Sequence, residues 1–185
     1  RHFMEKEIHE QPDAIAHTLS AMREASGIED ELADVSNLVM LAAGTSHYAG
    51  QIGRYWFEHL AGLPVTVEVA SEYRYRHPVH IKGGAAFAIS QSGESLDTLM
   101  AMRHASELGL KSVGIVNVPE STIAREADLV LPTRAGPEIG VASTKAFTAQ
   151  LTVLFSLAIR LGLKRGHLTA TQSEIYETIA LSLPG

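Results

Sequence analysis

The chain has 185 residues, enough for one domain that buries roughly 70% of its unfolded surface. Its 45% hydrophobic and 19% charged residues exclude a disordered or fibrous chain. Fifteen Lys and Arg against 21 Asp and Glu leave a net charge of −6, the wrong sign for a phosphate-backbone binder, and the lack of cysteine excludes a disulfide scaffold, a zinc–cysteine site and a cysteine nucleophile.

The opening residues, from Arg1 to Glu7, are too polar for a signal peptide. The first residue is not Met and the last three are Leu183-Pro184-Gly185, so both ends are expected to be cut from a longer chain. Ile15, Leu19 and Met22 mark an N-terminal helix. Residues 37–43 read as a strand, followed by a turn at Gly44-Thr45-Ser46. From His47 the period becomes helical, with Ile52, Tyr55, Trp56 and Leu60 on one face and Gly62 and Pro64 as the stop. Strands are expected at 65–69 and 85–90, the latter without polar alternation, as in a strand covered on both faces. Between them, the cluster Tyr73-Arg-Tyr-Arg-His77 reads as a solvated surface turn rather than a nucleic-acid contact.

A helix over 96–108 closes at Gly109, and strands follow at 112–117 and 128–131, with Ser121 placed to cap a short helix between them. After a loop over 132–143, Phe147, Leu151, Leu154, Phe155, Ala158 and Leu161 hold the face of a long helix that should stop at Gly162. Ile175, Ile179 and Leu183 suggest a final helix. No apolar run approaches the roughly 18 residues of a membrane span, so none is expected. Five strands separated by helices predict a doubly wound α/β fold with a parallel sheet, because parallel neighbours need crossover helices.

Ligands of such sheets collect beyond the carboxyl ends of the strands. Three segments fall there: Gly44 to Ser46, Ser90 to Ser95, and Glu138 to Ser143. The second is the most informative. Ser90, Ser92 and Ser95 crowd a turn that feeds a helix N-terminus, where free N–H groups and the helix dipole favour an anion. Gly93 lets the backbone approach closely, and the absence of Lys or Arg suits a monophosphate ester better than a triphosphate. The alternative is that Ser95 only caps the helix within a polar loop. There is no Gly-x-Gly-x-x-Gly, no phosphate-loop lysine and no Gly-x-Ser-x-Gly elbow. Nine histidines include no His-Glu-x-x-His pair, and His77 and His80 flank a proline in a loop. Neither a metal nor a cofactor is expected. Glu138 and Lys145 are read as the ionisable residues closest to the expected site. Lys145 opposes the dipole of the long helix, so it is expected either to meet a ligand or carboxylate or to snorkel to the surface.

Ala43-Gly-Thr-Ser46, Ser90-Gln-Ser-Gly-Glu94 and Glu138-Ile-Gly-Val-Ala-Ser-Thr-Lys-Ala-Phe147 together resemble the sugar isomerase (SIS) domain. The stretch from Glu138 to Lys145 with the Met4-Glu-Lys-Glu-Ile8 opening narrows the resemblance to the isomerase half of the glutamine-dependent aminotransferases that make glucosamine 6-phosphate from fructose 6-phosphate, and residues 54–58 and 70–74 also fit. This resemblance implies a flavodoxin-like sheet of order 2-1-3-4-5, with residues 1–30 as a segment packed on a single SIS domain over 31–185. It implies phosphate contacts from Ser90, Gln91, Ser92 and Ser95, sugar and phosphate contacts from Thr45 and Ser46, and sugar contacts from Val141 and Ser143. Ser95 replaces the family's usual Thr and keeps the hydroxyl; Ala43 replaces a common Cys at a strand end. The family's Schiff-base lysine, carboxylate base and ring-opening histidine belong to a second SIS unit that this length does not hold. Implied partners are a hexose 6-phosphate (fructose or glucose 6-phosphate), that second SIS subdomain, a glutaminase domain and a second copy of the chain, in the cytoplasm, without nucleic acid or membrane. The competing readings are a free-standing ketose-phosphate isomerase or amino-sugar phosphate deaminase, and a phosphosugar-sensing regulatory module.

Overall fold

The computed structural model describes residues 2–79 and 81–184; Arg1, His80 and Gly185, and the readings that fall on them, lie outside the described residues. Three helices come first: α1 (Phe3–His9), α2 (Gln11–Glu24) and α3 (Ile28–Leu32). Then strands and helices alternate as β1 (Leu38–Ala42), α4 (Gly44–Ala61), β2 (Val65–Val69), α5 (Ala70–Tyr73), β3 (Ala85–Ser90), α6 (Leu96–Glu107), β4 (Lys111–Val116), α7 (Thr122–Glu126) and β5 (Leu129–Pro132). Two long helices, α8 (Lys145–Lys164) and α9 (Ala170–Ser182), close the described chain.

The sheet has the order β2-β1-β3-β4-β5, and each neighbouring pair is parallel. The expected doubly wound sheet is therefore the one observed. β1 and β3 lie at its centre, and every residue of both is buried. Alternate residues serve opposite faces. Met40, Phe87, Ile89 and Ile115 pack with Phe57, Leu60, Val153, Leu154 and Leu157 of α4 and α8. Val39, Leu41 and Ala86 pack with Tyr73, Ala101 and Ala105 on the other side, and Ala88 and Val116 pack with Leu99, Met102 and Ile123. Each fully buried Leu, Ile or Phe contributes about 1.5–3 kcal/mol over exposure, so these two layers hold the sheet.

Several sequence expectations need correction. Gly44-Thr45-Ser46 is the first turn of α4 rather than a separate turn. The buried face of α4 is Ala49, Gly50, Gly53, Phe57 and Leu60, while Ile52 and Tyr55 face solvent. Small residues won this face because a Cβ on Gly53 would sit 2.9 Å from Leu154 Cδ1, and one on Gly50 would sit 3.2 Å from Val67 Cγ1. Gly162 does not stop α8. It lies inside the helix, where a Cβ would come 2.2 Å from the Leu60 carbonyl oxygen, and the chain turns only at Gly166 with φ 70°. Ile175, Ile179 and Leu183 of the α9 region are exposed, and Ala180 and Ser173 face inward instead. Tyr73 is fully buried, so the basic-aromatic cluster is a surface turn only beyond that residue. Arg74 stacks on Tyr75 at 4.6 Å, and Arg76 pairs with Glu68.

By length and composition α8 could cross a membrane, contrary to the reading of the apolar runs. Its position explains the composition: the helix lies between α2, α4 and α9 and is mostly buried, as a core helix of this fold must be.

Candidate functional site

β1 and β3 are neighbours in register, with Ala42 opposite Ile89. The chain leaves β1 into α4 on one face of the sheet and leaves β3 into α6 on the other. A crevice therefore opens between the two strand ends, at the point where the winding reverses. The first two predicted segments line it. Thr45 is exposed and Ser46 half-buried in the first turn of α4, while Ser90 is buried, Gln91 and Ser95 are half-buried and Ser92 is exposed in the turn before α6.

The turn is built to leave hydroxyl protons available. Ser90 Oγ accepts from the Gly93 amide at 3.1 Å, and Ser92 Oγ accepts from the Glu94 amide at 3.2 Å. Both oxygens are used as acceptors, which leaves each O–H to donate. Ser95 occupies the N-cap of α6 without a side-chain cap bond; its Oγ accepts from Thr98 Oγ1 at 3.2 Å. Ser95 is thus the N-cap residue of α6 by position, and its side chain makes no bond to the first-turn amides.

Gly93 has φ 65°, and a Cβ there would meet Ser121 Oγ at 2.0 Å, so both conformation and space demand glycine. The charge of Glu94 is turned away from the crevice. Its carboxylate accepts from Thr122 N at 2.7 Å and Thr122 Oγ1 at 2.8 Å, and these bonds hold its carboxyl below the usual carboxylate range. Asp97, in the first turn of α6, lies 3.7 Å from Arg74.

The third segment reaches the same end of the sheet through two polar residues that sequence reasoning missed. Asn117 follows β4. Its amide donates to Gln91 O at 3.1 Å, its Oδ1 accepts from Ala135 N at 2.7 Å, and its Nδ2 donates to Gly136 O at 2.7 Å. Asn117 thus ties the serine turn, through its backbone, to the start of the loop, through its side chain. Gln150 is buried in α8 and donates to Ser46 Oγ at 2.9 Å, joining that helix to the first turn of α4. A polar residue at the carboxyl end of a buried strand, or inside an apolar helix face, is the signal that marks both. Val141 is fully exposed and Ser143 half-buried in the loop.

Glu138 and Lys145 are both engaged. Glu138 is a capping carboxylate for α8: it accepts from Ser143 Oγ at 3.1 Å, Thr144 N at 2.8 Å, Thr144 Oγ1 at 3.2 Å and Ala146 N at 3.2 Å. Lys145 is 5% exposed and donates to Glu10 at 2.7 Å, so it is a buried ion-pair partner rather than a snorkelling lysine. Lys145, and secondarily Lys6, hold the Glu10 carboxyl below the usual range. A cavity of about 500 Å³ lies away from the crevice and is lined by α2, α3, α8 and α9. Among the described residues, no group of three or more His, Asp or Glu is placed to hold a metal ion.

A parallel sheet of this order, with a serine-rich turn feeding α6 and a small-residue turn opening α4, defines a doubly wound, flavodoxin-like α/β domain. The SIS domain family model matches residues 31–160, and the chain belongs to that family. It is 54% identical over 181 residues to the glutamine–fructose-6-phosphate aminotransferase (isomerizing) of Mesorhizobium japonicum, covering 94% of this chain and 30% of that protein. The enzyme of the same name from Xanthomonas campestris is 49% identical, covering 100% of this chain and 32% of that protein. The chain thus spans about a third of the length of these relatives. Among solved structures, the C-terminal domain of glucosamine-fructose-6-phosphate aminotransferase from Francisella tularensis superposes with a TM-score of 0.91 at 37% identity, covering 98% of this chain and 55% of that one. A glucosamine-6-phosphate deaminase from Thermotoga maritima, at 22% identity and TM-score 0.70, shares the fold.

Proposed function

We propose that this chain is the first SIS subdomain of an isomerising glutamine–fructose-6-phosphate aminotransferase, and that its crevice binds a hexose 6-phosphate. The observation that carries this reading is the N-terminus of α6, open to an anion and ringed by Ser90, Ser92 and Ser95 with their hydroxyl protons available. The phosphate sits on these serines and Gln91. Thr45 and Ser46 reach phosphate and sugar from the first turn of α4, and Val141 and Ser143 reach the sugar from the loop. The whole enzyme joins ammonia from glutamine to fructose 6-phosphate and shifts a proton between neighbouring carbons to give glucosamine 6-phosphate.

This chain supplies the binding half of that chemistry. It has no cysteine to release ammonia from glutamine. The two ionisable side chains flanking the third segment, Glu138 and Lys145, are committed to a helix cap and a buried ion pair. Catalysis therefore depends on a second SIS unit and a glutaminase domain. Residues 1–30 act as a segment packed on the SIS domain formed by residues 31–185. The exposed Ile175, Ile179, Leu181 and Leu183 support a further surface, a second SIS unit or a second copy in a homodimer, covering the end of the chain. The net charge of −6 and the phosphosugar chemistry suit an amino-sugar biosynthetic role in the cytoplasm, without nucleic acid or membrane.

The test is titration calorimetry with fructose 6-phosphate and glucose 6-phosphate. Each charge-assisted hydrogen bond to the phosphate is worth about 1.5–3 kcal/mol, so Ser92→Ala is expected to weaken binding by about tenfold or more. Unchanged affinity in that variant, or binding of NAD or ATP in place of the sugar phosphates, overturns the assignment.

A further inference from the structure

The loop over residues 133–144 has no secondary structure of its own, so its place depends on its tethers. Asn117 holds its beginning, and Glu138 holds its end on α8. The middle is held from an unexpected direction. Glu7 of α1 is 2% exposed, and its Oε1 accepts from Ile139 N at 2.6 Å and from Gly140 N at 3.2 Å, with Oε2 3.1 Å from Gly140 N. The fit is close. A Cβ on Gly140 would lie 2.6 Å from Glu7 Oε2 and 3.5 Å from Met4 Cα, so glycine here lets the Glu7 carboxylate approach the loop backbone this closely. One turn further along the chain, Glu10 pairs with the buried Lys145 at 2.7 Å, and Thr148 donates to Gln11 Oε1 at 2.5 Å. The N-terminal segment is thus pinned both to the middle of the loop and to the helix that follows it.

We propose that Glu7 is a positioning residue for substrate binding. Its carboxylate, buried under α1, holds the backbone at Ile139 and Gly140 and so sets Val141 and Ser143 in their sugar-facing places before the ligand arrives. The Glu10–Lys145 pair is the second anchor of the same clamp. This inference rests on the reading of the crevice as a hexose 6-phosphate site. The physical reason is preorganisation. A loop ordered in the free protein loses less freedom when it closes on a ligand, and that difference appears in affinity. The phosphate end of the site lies on β3 and α6, which Glu7 does not touch. The clamp should therefore affect the sugar end alone.

Three measurements on the 185-residue chain test this. Inorganic phosphate and fructose 6-phosphate are titrated into the parent chain, Glu7→Ala and Glu29→Ala. The last variant breaks the Glu29–Arg160 pair between α3 and α8 and serves as a destabilised control away from the loop. Glu7→Ala is expected to weaken fructose 6-phosphate by about five- to tenfold while leaving inorganic phosphate unchanged, the size expected when a few loop groups must be newly ordered. Glu29→Ala is expected to change neither. Amide hydrogen exchange is then followed at residues 139 and 140, where Glu7→Ala should accelerate exchange by at least about tenfold through loss of a charge-assisted hydrogen bond. Equal losses for both ligands would reduce Glu7 to a structural residue and overturn the proposal. So would exchange at 139 and 140 that stays slow in Glu7→Ala, whatever the chain binds. A parent chain that binds neither compound would overturn the reading of the crevice instead, and the exchange result would still decide whether Glu7 holds the loop.

Discussion

At the scale of single residues, position in the sequence and role in the structure part company at Glu138 and Lys145. Both stand beside the strand ends, and both carry groups that acid–base chemistry uses. Yet four donors converge on Glu138, and Lys145 is buried against Glu10. Tyr73 shows a similar reversal. It stands in a basic-aromatic stretch that looks solvated, but it is fully buried. Burial pushes its phenol up from 10.0 to about 12; the charge of Glu68 adds to the rise and Arg76 opposes it. The folded value lies above the unfolded one, so the neutral phenol stabilises the fold below about pH 10, and that contribution is lost as pH rises through about 12. Alkaline difference spectroscopy should therefore show a tyrosine step near pH 12 that Tyr73→Phe removes. An alkaline titration unchanged in Tyr73→Phe would contradict this.

At the scale of elements, contact between α4 and α8 depends on residues with almost no side chain. Gly53 and Gly162 lie at this helix pair, but their neighbours differ. The missing Cβ of Gly53 faces Leu154 Cδ1 at 2.9 Å, the end of a side chain that can rotate. The missing Cβ of Gly162 faces the Leu60 carbonyl oxygen at 2.2 Å, with Leu168 at 2.9 Å behind it. Backbone cannot step aside without moving the helix. Overpacking of a core costs about 1–3 kcal/mol and more where backbone must shift, so Gly162→Ala should be the more damaging change. Urea denaturation of the two alanine variants is the check. Gly53→Ala should lose at most about 1–2 kcal/mol, with Gly162→Ala at or beyond the top of the overpacking range. The reverse order would show that α8 shifts along α4 more easily than the geometry indicates.

At the scale of the whole molecule, the sheet brings a serine-rich turn, a small-residue helix start and a tethered loop to one edge, while Glu138 and Lys145 beside the loop are held in a helix cap and a buried ion pair. General acid–base catalysis is worth about 10²–10⁴ in rate, and covalent activation adds to it. Incubated alone with fructose 6-phosphate, the chain is therefore expected to produce no glucose 6-phosphate in a coupled assay. Turnover that disappears in Glu138→Gln, with the fold checked by circular dichroism, would show that this one SIS unit is a complete isomerase.

The order of the strands and of α4, α6 and α8 was legible in the sequence because each central strand is a short unbroken apolar run and these crossovers have helical period, whereas the short α5 between β2 and β3 read as a turn. Ser90 to Ser95 was legible as a hydroxyl-rich turn at a helix start, because serines and a glycine between an apolar strand and a helical period mark such a turn. Faces and ends were less legible. The large apolar side chains of α4 suggested a face that points to solvent, because close packing favoured Gly50 and Gly53, which no hydrophobic pattern marks. Gly162 reads as a helix stop in sequence and is a packing contact in space. Local composition thus determined the elements, their order and the residue types around the phosphate turn. Only the tertiary structure decided which acids are occupied, how Asn117 and Gln150 join the three segments, and that Glu7 reaches the backbone of Ile139 and Gly140. These are hydrogen bonds between residues far apart in the chain, set by distance in space, and nothing in the residues between them records that distance.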